Sequence, residues 1–447
     1  MAKLLGLIII LVPFICMIMP CSSCPAHQKQ SLLLFKSSLL NISNTSNSSV
    51  IGLESWNSSS DCCTWDRVVC SLHSRDVIAL HLDHLPSAVF FLAFPILDPI
   101  FYIRSLILLD ISSNSMEGLI PIKGLANPTK LVHLDMSNND IHGSIPAQLF
   151  HLKYLSFLNI SYNQISGEIS GNGLANLTSI VHLDMSNNHF DGSIPAQLFH
   201  LRLLRFLNLS DNSLKGGLST EIGNLGNLRT LKLDGNSLFG NIPLQIGNLT
   251  KLQYFSISLN ELSGGIPDSI FTLKRLEGLD LSSNYLRMQI PSHIGNLSCI
   301  STLALSKNSF TGAIPTSIRN LSKLETLQLE DNMLGGEIPS WLFDMESLKN
   351  LFLGGNKINW NNIVKIVPKC MLSRLSLRSS QISGDIPEWI STQKNLGIFE
   401  LSYNQLTGIF PLWLAELEVG NLLLSNNELS GAIPSRLFHS EFISFGK

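Results

Sequence analysis

The chain is short of charge. Of its 447 residues, 30 are Lys or Arg and 33 are Asp or Glu, so charged side chains make up 14%, against about 25% in an average soluble domain. The net charge is −3 and no basic stripe is present, which argues against a nucleic-acid partner. Catalytic groupings are scarce too. Gly171-Asn-Gly173 is a glycine pair with no lysine and no helix expected after it, so it does not read as a phosphate loop. His151 and His200 recur because the sequence around them recurs, and so do the paired Asp residues. No enzyme activity, metal or cofactor is expected. The exposed positions are instead Ser, Asn, Gly and Thr, a composition suited to recognition.

What fills the chain is one stretch written repeatedly. Asn227-Leu-Arg-Thr-Leu-Lys-Leu-Asp-Gly-Asn236-Ser-Leu-Phe-Gly-Asn-Ile-Pro243 is followed by copies at Lys251 to Pro267, Arg275 to Pro291, Cys299 to Pro315 and Lys323 to Pro339. The aligned Asn236, Asn260, Asn284, Asn308 and Asn332 are 24 residues apart, and a fixed period of this size means a solenoid. Leu231 and Leu233 alternate as in a strand and point inward, while Lys232 and Asp234 point out. Asn236 ends the strand with an amide that both donates and accepts. Gly240 permits a turn with φ above zero, and Pro243 stops ladder pairing. Leu238 and Ile242 return to the core. Burying each Leu or Ile contributes about 1.5–3 kcal/mol. A single turn has nothing to bury against, so stability comes from stacked neighbours.

Fourteen such repeats are expected, anchored at Asn114, Asn139, Asn163, Asn188, Asn212, Asn236, Asn260, Asn284, Asn308, Asn332, Asn356, Ser380, Asn404 and Asn427. Ser380 interrupts the asparagine series, and Met288 stands where glycine is usual. Lys357 to Met371 keeps the period but loses the Gly-x-Ile-Pro element, which predicts a bulged or helical return there, or a specialised binding segment. A longer period is also present: Leu131 to Gly167 and Ile180 to Gly216 are near copies offset by 49 residues. This duplication of two repeats writes the same exposed residues twice on one face.

The N-terminus differs. Residues 1–23 carry one Lys, an apolar run from Leu4 to Met19 and then small residues, which read as a secretory signal peptide. Secretion implies an oxidising compartment, where the clustered Cys24, Cys62, Cys63 and Cys70 suggest two disulfides. Adjacent Cys62 and Cys63 are poorly placed to pair with each other, and Cys24–Cys62 with Cys63–Cys70 is the pairing adopted. Gln28 to Leu40 has helical spacing, and Trp56 and Trp65 flank the cysteines. Residues 24–85 therefore read as a disulfide-stapled cap over the open end of the solenoid. Residues 86–105 read as an irregular first coil, because Pro86, Pro95, Asp98 and Pro99 argue against a membrane span in this apolar stretch. Residues 106–447 are the repeats. Cys299 and Cys370 lie about three strands, or about 15 Å, apart, too far to bond. Cys299 is expected to be an exposed free thiol.

The motif Leu-x-x-Leu-x-x-Leu-x-Leu-Ser-x-Asn-x-Leu-x-Gly-x-Ile-Pro resembles the plant-specific leucine-rich repeat. Leu32-Leu-Leu-Phe-Lys36 and Cys62-Cys-Thr-Trp-Asp-Arg-Val-Val-Cys70 resemble the cap of plant extracellular repeat proteins. Ile366-Val-Pro-Lys-Cys-Met-Leu-Ser-Arg-Leu-Ser-Leu and Ile386-Pro-Glu-Trp-Ile-Ser-Thr-Gln-Lys are similar to segments of plant receptor-like proteins. The resemblance implies an α/β repeat fold, a curved right-handed solenoid with a parallel sheet on its concave face. It also implies a cell-surface ectodomain that lacks a kinase and signals through a partner receptor kinase, in defence or development. Such proteins carry a distal cysteine cap, one membrane span and a short tail. None is found before Lys447, so a truncated product is expected, at the plasma membrane if the span exists and extracellular otherwise.

The strand face is the expected recognition surface. One column holds Asp110, Asp135, Asn159, Asp184, Asn208, Lys232, Ser256, Asp280, Ala304, Gln328, Phe352, Ser376 and Glu400. Its neighbour holds His133, Phe157, His182, Phe206, Thr230, Tyr254, Gly278, Thr302, Thr326, Asn350 and Arg374. Fourteen strands at about 4.8 Å span roughly 65 Å, room for an extended peptide or an oligosaccharide. The Asp, His and aromatic residues of the first half suit a basic or amphipathic ligand, although Asp is also the ordinary filler of a Leu-Asp-Leu-Ser motif. Ten glycosylation sequons lie at Asn41, Asn44, Asn47, Asn57, Asn159, Asn176, Asn208, Asn248, Asn296 and Asn320. Sugars on Asn159 and Asn208 would obstruct this face and move a ligand toward Tyr254 to Arg374. The leading function is ligand recognition, with a peptide, glycan or microbial molecule and a co-receptor kinase ectodomain as partners. A secreted inhibitor of a microbial wall-degrading enzyme and a decoy are the alternatives.

Overall fold

A computed structural model of the chain describes residues 23–42, 52–85, 92–121, 124, 127–360, 366–417, 419–434 and 442–444. The leader read over residues 1–23 and the sequons Asn44 and Asn47 lie outside them, apart from Ser23. The described residues form two compact units, one ending at His189 and one beginning at Phe190.

The first unit opens with the cap. Its helix runs over Ala26–Ile42 and buries Leu32, Phe35 and Leu39. Cys24 is bonded to Cys62 and Cys63 to Cys70, with Cα separations of 5.6 and 5.4 Å. Trp56 and Trp65 stack with ring centroids 5.5 Å apart. The Asp61 carboxylate accepts from the backbone N–H groups of Cys24 and Cys63 and pairs with Arg75 at 2.8 Å. Burial pushes its pKa up, but those donors outweigh burial and hold it below the ordinary carboxylate value. Buried Gln28 ties the helix to the sheet: its oxygen accepts from Val77 N–H, and its amide donates to Asp76 and Ser105.

Val68–Cys70 pairs antiparallel with Val77–His81, and from there the ladder is parallel through Leu108–Asp110, His133–Asp135, Phe157–Asn159 and His182–Asp184. The described part of the apolar stretch after the cap is more regular than the sequence suggests. It forms a short strand, a 3₁₀ turn at Phe94–Leu97 and a helical turn at Asp98–Phe101. It buries Leu97, Ile100, Phe101 and Ile103. Gly171–Leu174 is also a helical turn, started by the Ser170 hydroxyl, which corrects the expectation that no helix accompanies this glycine pair. Gly173 is required because a Cβ there would sit 2.3 Å from the Phe150 ring.

The second unit repeats one coil. Parallel strands run from Phe206–Asn208 through Thr230–Lys232, Tyr254–Ser256 and onward to Asn421–Leu423. One further strand, Phe442–Ser444, pairs with the last of these, a strand that the repeat count did not anticipate. The Gly-x-Ile-Pro segments also pair. Ser237–Asn241, Glu261–Gly264, Tyr285–Gln289 and Ser309–Gly312 form a second row of short parallel strands, where only a turn was expected. Pro243, Pro267, Pro291 and Pro315 each end such a segment and open a 3₁₀ turn, because proline offers no N–H to the ladder and presets φ.

The asparagines bind coil to coil. Asn260 Nδ2 donates to the carbonyls of Leu233, Ile257 and Ser258, and its Oδ1 accepts from Leu238 N–H at 3.0 Å. The pattern recurs at Asn236, Asn284, Asn308, Asn332 and Asn356, and in the first unit at Asn114, Asn139, Asn163 and Asn188. At the Ser380 interruption, Asn404 Oδ1 accepts from both Ser380 and Ile382 N–H. Just before each asparagine the chain steps through positive φ, whatever the side chain: Tyr162 at 52°, Leu259 at 52°, Lys307 at 53° and Asp331 at 53°.

Met288 adopts φ 81°, matching Gly240, Gly264 and Gly312 at 83°, 82° and 80°. A side chain is strained there. We therefore expect Met288→Gly to stabilise the second unit by about 1 kcal/mol, after subtracting the extra unfolded-state freedom of glycine. A denaturant midpoint that falls instead would show that the Met288 contacts outweigh the strain.

Candidate functional site

The two strand-face columns stand in the register expected. In the first unit Asp110, Asp135, Asn159 and Asp184 are successive partners, and His133, Phe157 and His182 are successive partners beside them. The rings form a stack. His133 and Phe157 lie 4.0 Å apart and 7° from parallel, and Phe157 and His182 lie 4.3 Å apart and 10° from parallel. All three are half-buried. Burial lowers the pKa of both histidines, against the raising influence of the neighbouring Asp residues. At neutral pH the stack is uncharged.

The carboxylates are scaffold as well as surface. Asp110, Asp135 and Asp184 each accept from the N–H and hydroxyl of the serine two residues on, Ser112, Ser137 and Ser186. Asn159 and Asn208 do the same for Ser161 and Ser210. Asp135 also accepts from the Asn159 amide at 3.1 Å. The Leu-Asp-Leu-Ser motif is thus an Asx turn that closes each strand. Asn208 is only 9% exposed and Asn159 is half-buried, whereas Asn41, Asn57, Asn176, Asn248, Asn296 and Asn320 are exposed. The latter six side chains are open to solvent, and the two in the strand column are largely covered.

In the second unit Lys232 and Asp280 flank Ser256, and Tyr254 lies beside Gly278. Tyr254 donates to Glu277 at 2.9 Å, which raises its pKa. Burial raises the Asp280 pKa, opposed by hydrogen bonds from Ser282. Phe352 and Arg374 sit on adjacent strands, and Phe206 is on the strand before Thr230. Sequence reading missed Glu277 and the Arg378–Asp331 ion pair at 3.0 Å, because both lie just outside the two columns. Burial raises the Glu330 pKa, with Asp331 adding to it.

Of the two unbonded cysteines, Cys370 is buried and Cys299 is half-buried. Burial raises the Cys370 thiol to about 11. Cys299 is less exposed than expected because Lys323, one coil on, reaches over it at 3.8 Å. Among the described residues no helix is long and apolar enough to cross a membrane.

Comparison with known proteins agrees with this architecture. Residues 197–408 match the leucine-rich repeat region family, residues 25–71 match the leucine rich repeat N-terminal domain, and residues 130–152 and 179–201 match single leucine rich repeats. The chain is a leucine-rich-repeat solenoid protein with a disulfide-stapled N-terminal cap. Part of it resembles plant receptor-like proteins, of whose length it spans only a minor share. Receptor-like protein 46 of Arabidopsis thaliana is 40% identical over 143 residues, which cover 31% of this chain and 17% of that protein. A crystal structure of a TDR receptor superposes with a TM-score of 0.74 at 30% identity, covering 83% of this chain and 63% of that one. The plant peptide hormone receptor RGFR1 in complex with RGF2 gives 0.62 at 29% identity, covering 86% and 68%.

Proposed function

We propose that this chain is the extracellular ligand-recognition part of a plant receptor-like protein, that its ligand is a peptide, and that a partner kinase ectodomain completes the signalling unit. The observation that carries the reading is the His133–Phe157–His182 stack. Three half-buried rings in line present a flat apolar strip, and acidic groups run alongside it. That arrangement suits an extended peptide carrying an aromatic or aliphatic side chain next to Lys or Arg. Similarity to a peptide hormone receptor supports the same class of ligand.

The test is a positional-scanning library of synthetic nonapeptides titrated against the glycosylated chain. Basic sequences with one aromatic residue are expected to bind best, and Phe157→Ala to weaken them at least tenfold. The two histidines titrate below the ordinary value of about 6.5. Affinity for basic peptides should therefore hold at pH 7 and fall at pH well below 6.5, as the rings acquire positive charge. Unchanged affinity in Phe157→Ala would rule out this face.

A further inference from the structure

The cap strand departs from the pattern that closes each later strand of the first unit. In the coils that follow it, the last strand residue holds the serine two residues on: Asp110 with Ser112, Asp135 with Ser137, Asn159 with Ser161 and Asp184 with Ser186. In the cap strand, Val77–His81, the same two positions are His81 and Asp83. An imidazole and a carboxylate stand where the later coils close on themselves. Strand pairing sets His81 directly beside Asp110. The backbone between them is pinned. Leu82 N–H donates to the Asp110 carbonyl at 2.7 Å, His84 N–H to that of Ser112 at 3.2 Å, and Asn114 Nδ2 to that of Leu82 at 2.9 Å. The Arg67 guanidinium donates to the carbonyls of His81 and Asp83, at 3.0 and 2.7 Å. The result is a fixed group of one imidazole and two carboxylates, His81, Asp83 and Asp110, all half-buried. Each offers a ligand atom within 4.8 Å of the other two.

We infer that His81, Asp83 and Asp110 bind a divalent transition-metal ion, with Zn²⁺ the best match to one nitrogen and two carboxylate oxygens. Bonds of about 2.1 Å set the ligand atoms roughly 3.0–3.4 Å apart, so small side-chain rotations close the group on an ion. Asp110 can supply Oδ2 while its Oδ1 keeps the bonds from Ser112. Asp83 meets the Arg67 guanidinium at 3.7 Å and His84 Nδ1 at 3.3 Å. Both contacts are longer than the about 2.7–2.9 Å of a close charged pair, so the carboxylate can turn toward a metal. Arg67 offsets one negative charge and Asp135, on the strand after Asp110, adds another. The surroundings therefore stay net negative and favour a cation. Water completes the shell of the half-buried ion. The ion ties the cap strand to the first coil, as a third staple beside the two disulfides. The site stands whether or not the strand face takes a peptide.

Calorimetric titration of zinc chloride into the full glycosylated chain, free of any affinity tag, tests this. One site per chain is expected to saturate at micromolar Zn²⁺. Ca²⁺ and Mg²⁺ should bind at least tenfold more weakly, because neither favours an imidazole. Asp110→Asn retains an acceptor for Ser112, as Asn159 is for Ser161. Asp83→Ser installs the residue type of the later coils. Each should weaken Zn²⁺ at least tenfold, as should His81→Gln, with the near-ultraviolet signal of the Trp56–Trp65 stack retained as proof of folding. His200→Gln, at the exposed His200–Glu221 pair, should leave the affinity unchanged. No saturable binding at submillimolar Zn²⁺ would overturn the inference. So would Zn²⁺ binding that survives in both Asp110→Asn and His81→Gln, or Ca²⁺ binding as tight as Zn²⁺.

Discussion

Asn260→Asp is expected to cost the second unit about 4 kcal/mol at pH 7, although the side chain keeps its shape. The amide of Asn260 donates to three carbonyl oxygens, and the whole side chain is only 7% exposed. An aspartate still accepts from Leu238 N–H, but it sets a carboxylate against the carbonyls of Leu233, Ile257 and Ser258. Burial and those acceptors would raise its folded pKa above the unfolded value of about 3.9. The deficit relative to the parent chain should then be small near pH 4 and widen as pH rises toward 7. Asn260→Ala should cost less, about 3 kcal/mol. Each carbonyl retains another donor, from Asn236, Asn284 or Gly235, and only the Leu238 N–H is orphaned. Denaturant melts at pH 4 and pH 7 measure both. An Asp variant as stable as the parent at pH 7 would show that the ladder hydrogen bonds do not hold the coils together.

Removing Cys24–Cys62 should cost the first unit about 4 kcal/mol, and removing Cys63–Cys70 about 2 kcal/mol. The difference follows from loop length: the bridges close separations of 38 and 7 residues, and the unfolded-chain entropy they remove grows with the logarithm of the loop. Double Cys→Ser variants at each pair would be melted while the Trp56–Trp65 stack is followed by near-ultraviolet circular dichroism. One ring lies within each bridged loop, Trp56 inside Cys24–Cys62 and Trp65 inside Cys63–Cys70, so the stack reports on the cap. Equal losses would mean that native contacts of the cap set the cost rather than loop closure.

Much of this was legible from the repeat itself. The 24-residue spacing of Asn236 to Asn332 placed the strands, their inward Leu residues and both surface columns in the register observed. The cap helix and the cysteine pairing were read from spacing and adjacency. What escaped has physical causes. The left-handed step before each asparagine is occupied by Leu259, Lys307 and Tyr162 as well as by Gly235, so no residue type marks it. The coil's closure enforces it, since each such N–H donates to the next coil, as Leu259 does to Ser282. The second strand row escaped because glycine reads as a turn, while the neighbouring coil supplies pairing partners that a single coil cannot show. The role of Asp110, Asp135 and Asp184 was weighed as ligand binding against motif filler, and the serine two residues on fixes part of the answer.

The ring stack also bears on how such a surface grows. His133 and His182 belong to copies offset by 49 residues, and each copy carries its own phenylalanine, Phe157 and Phe206, on the following strand. Because the copied block is two whole coils, recombination within the gene inserts scaffold and surface together. The asparagine contacts and the strand register close over the insert without repair. Each further exchange of this kind would add one more histidine–phenylalanine pair to the row. Length of the strand face is therefore a heritable variable that changes in steps of two coils, independently of point mutation.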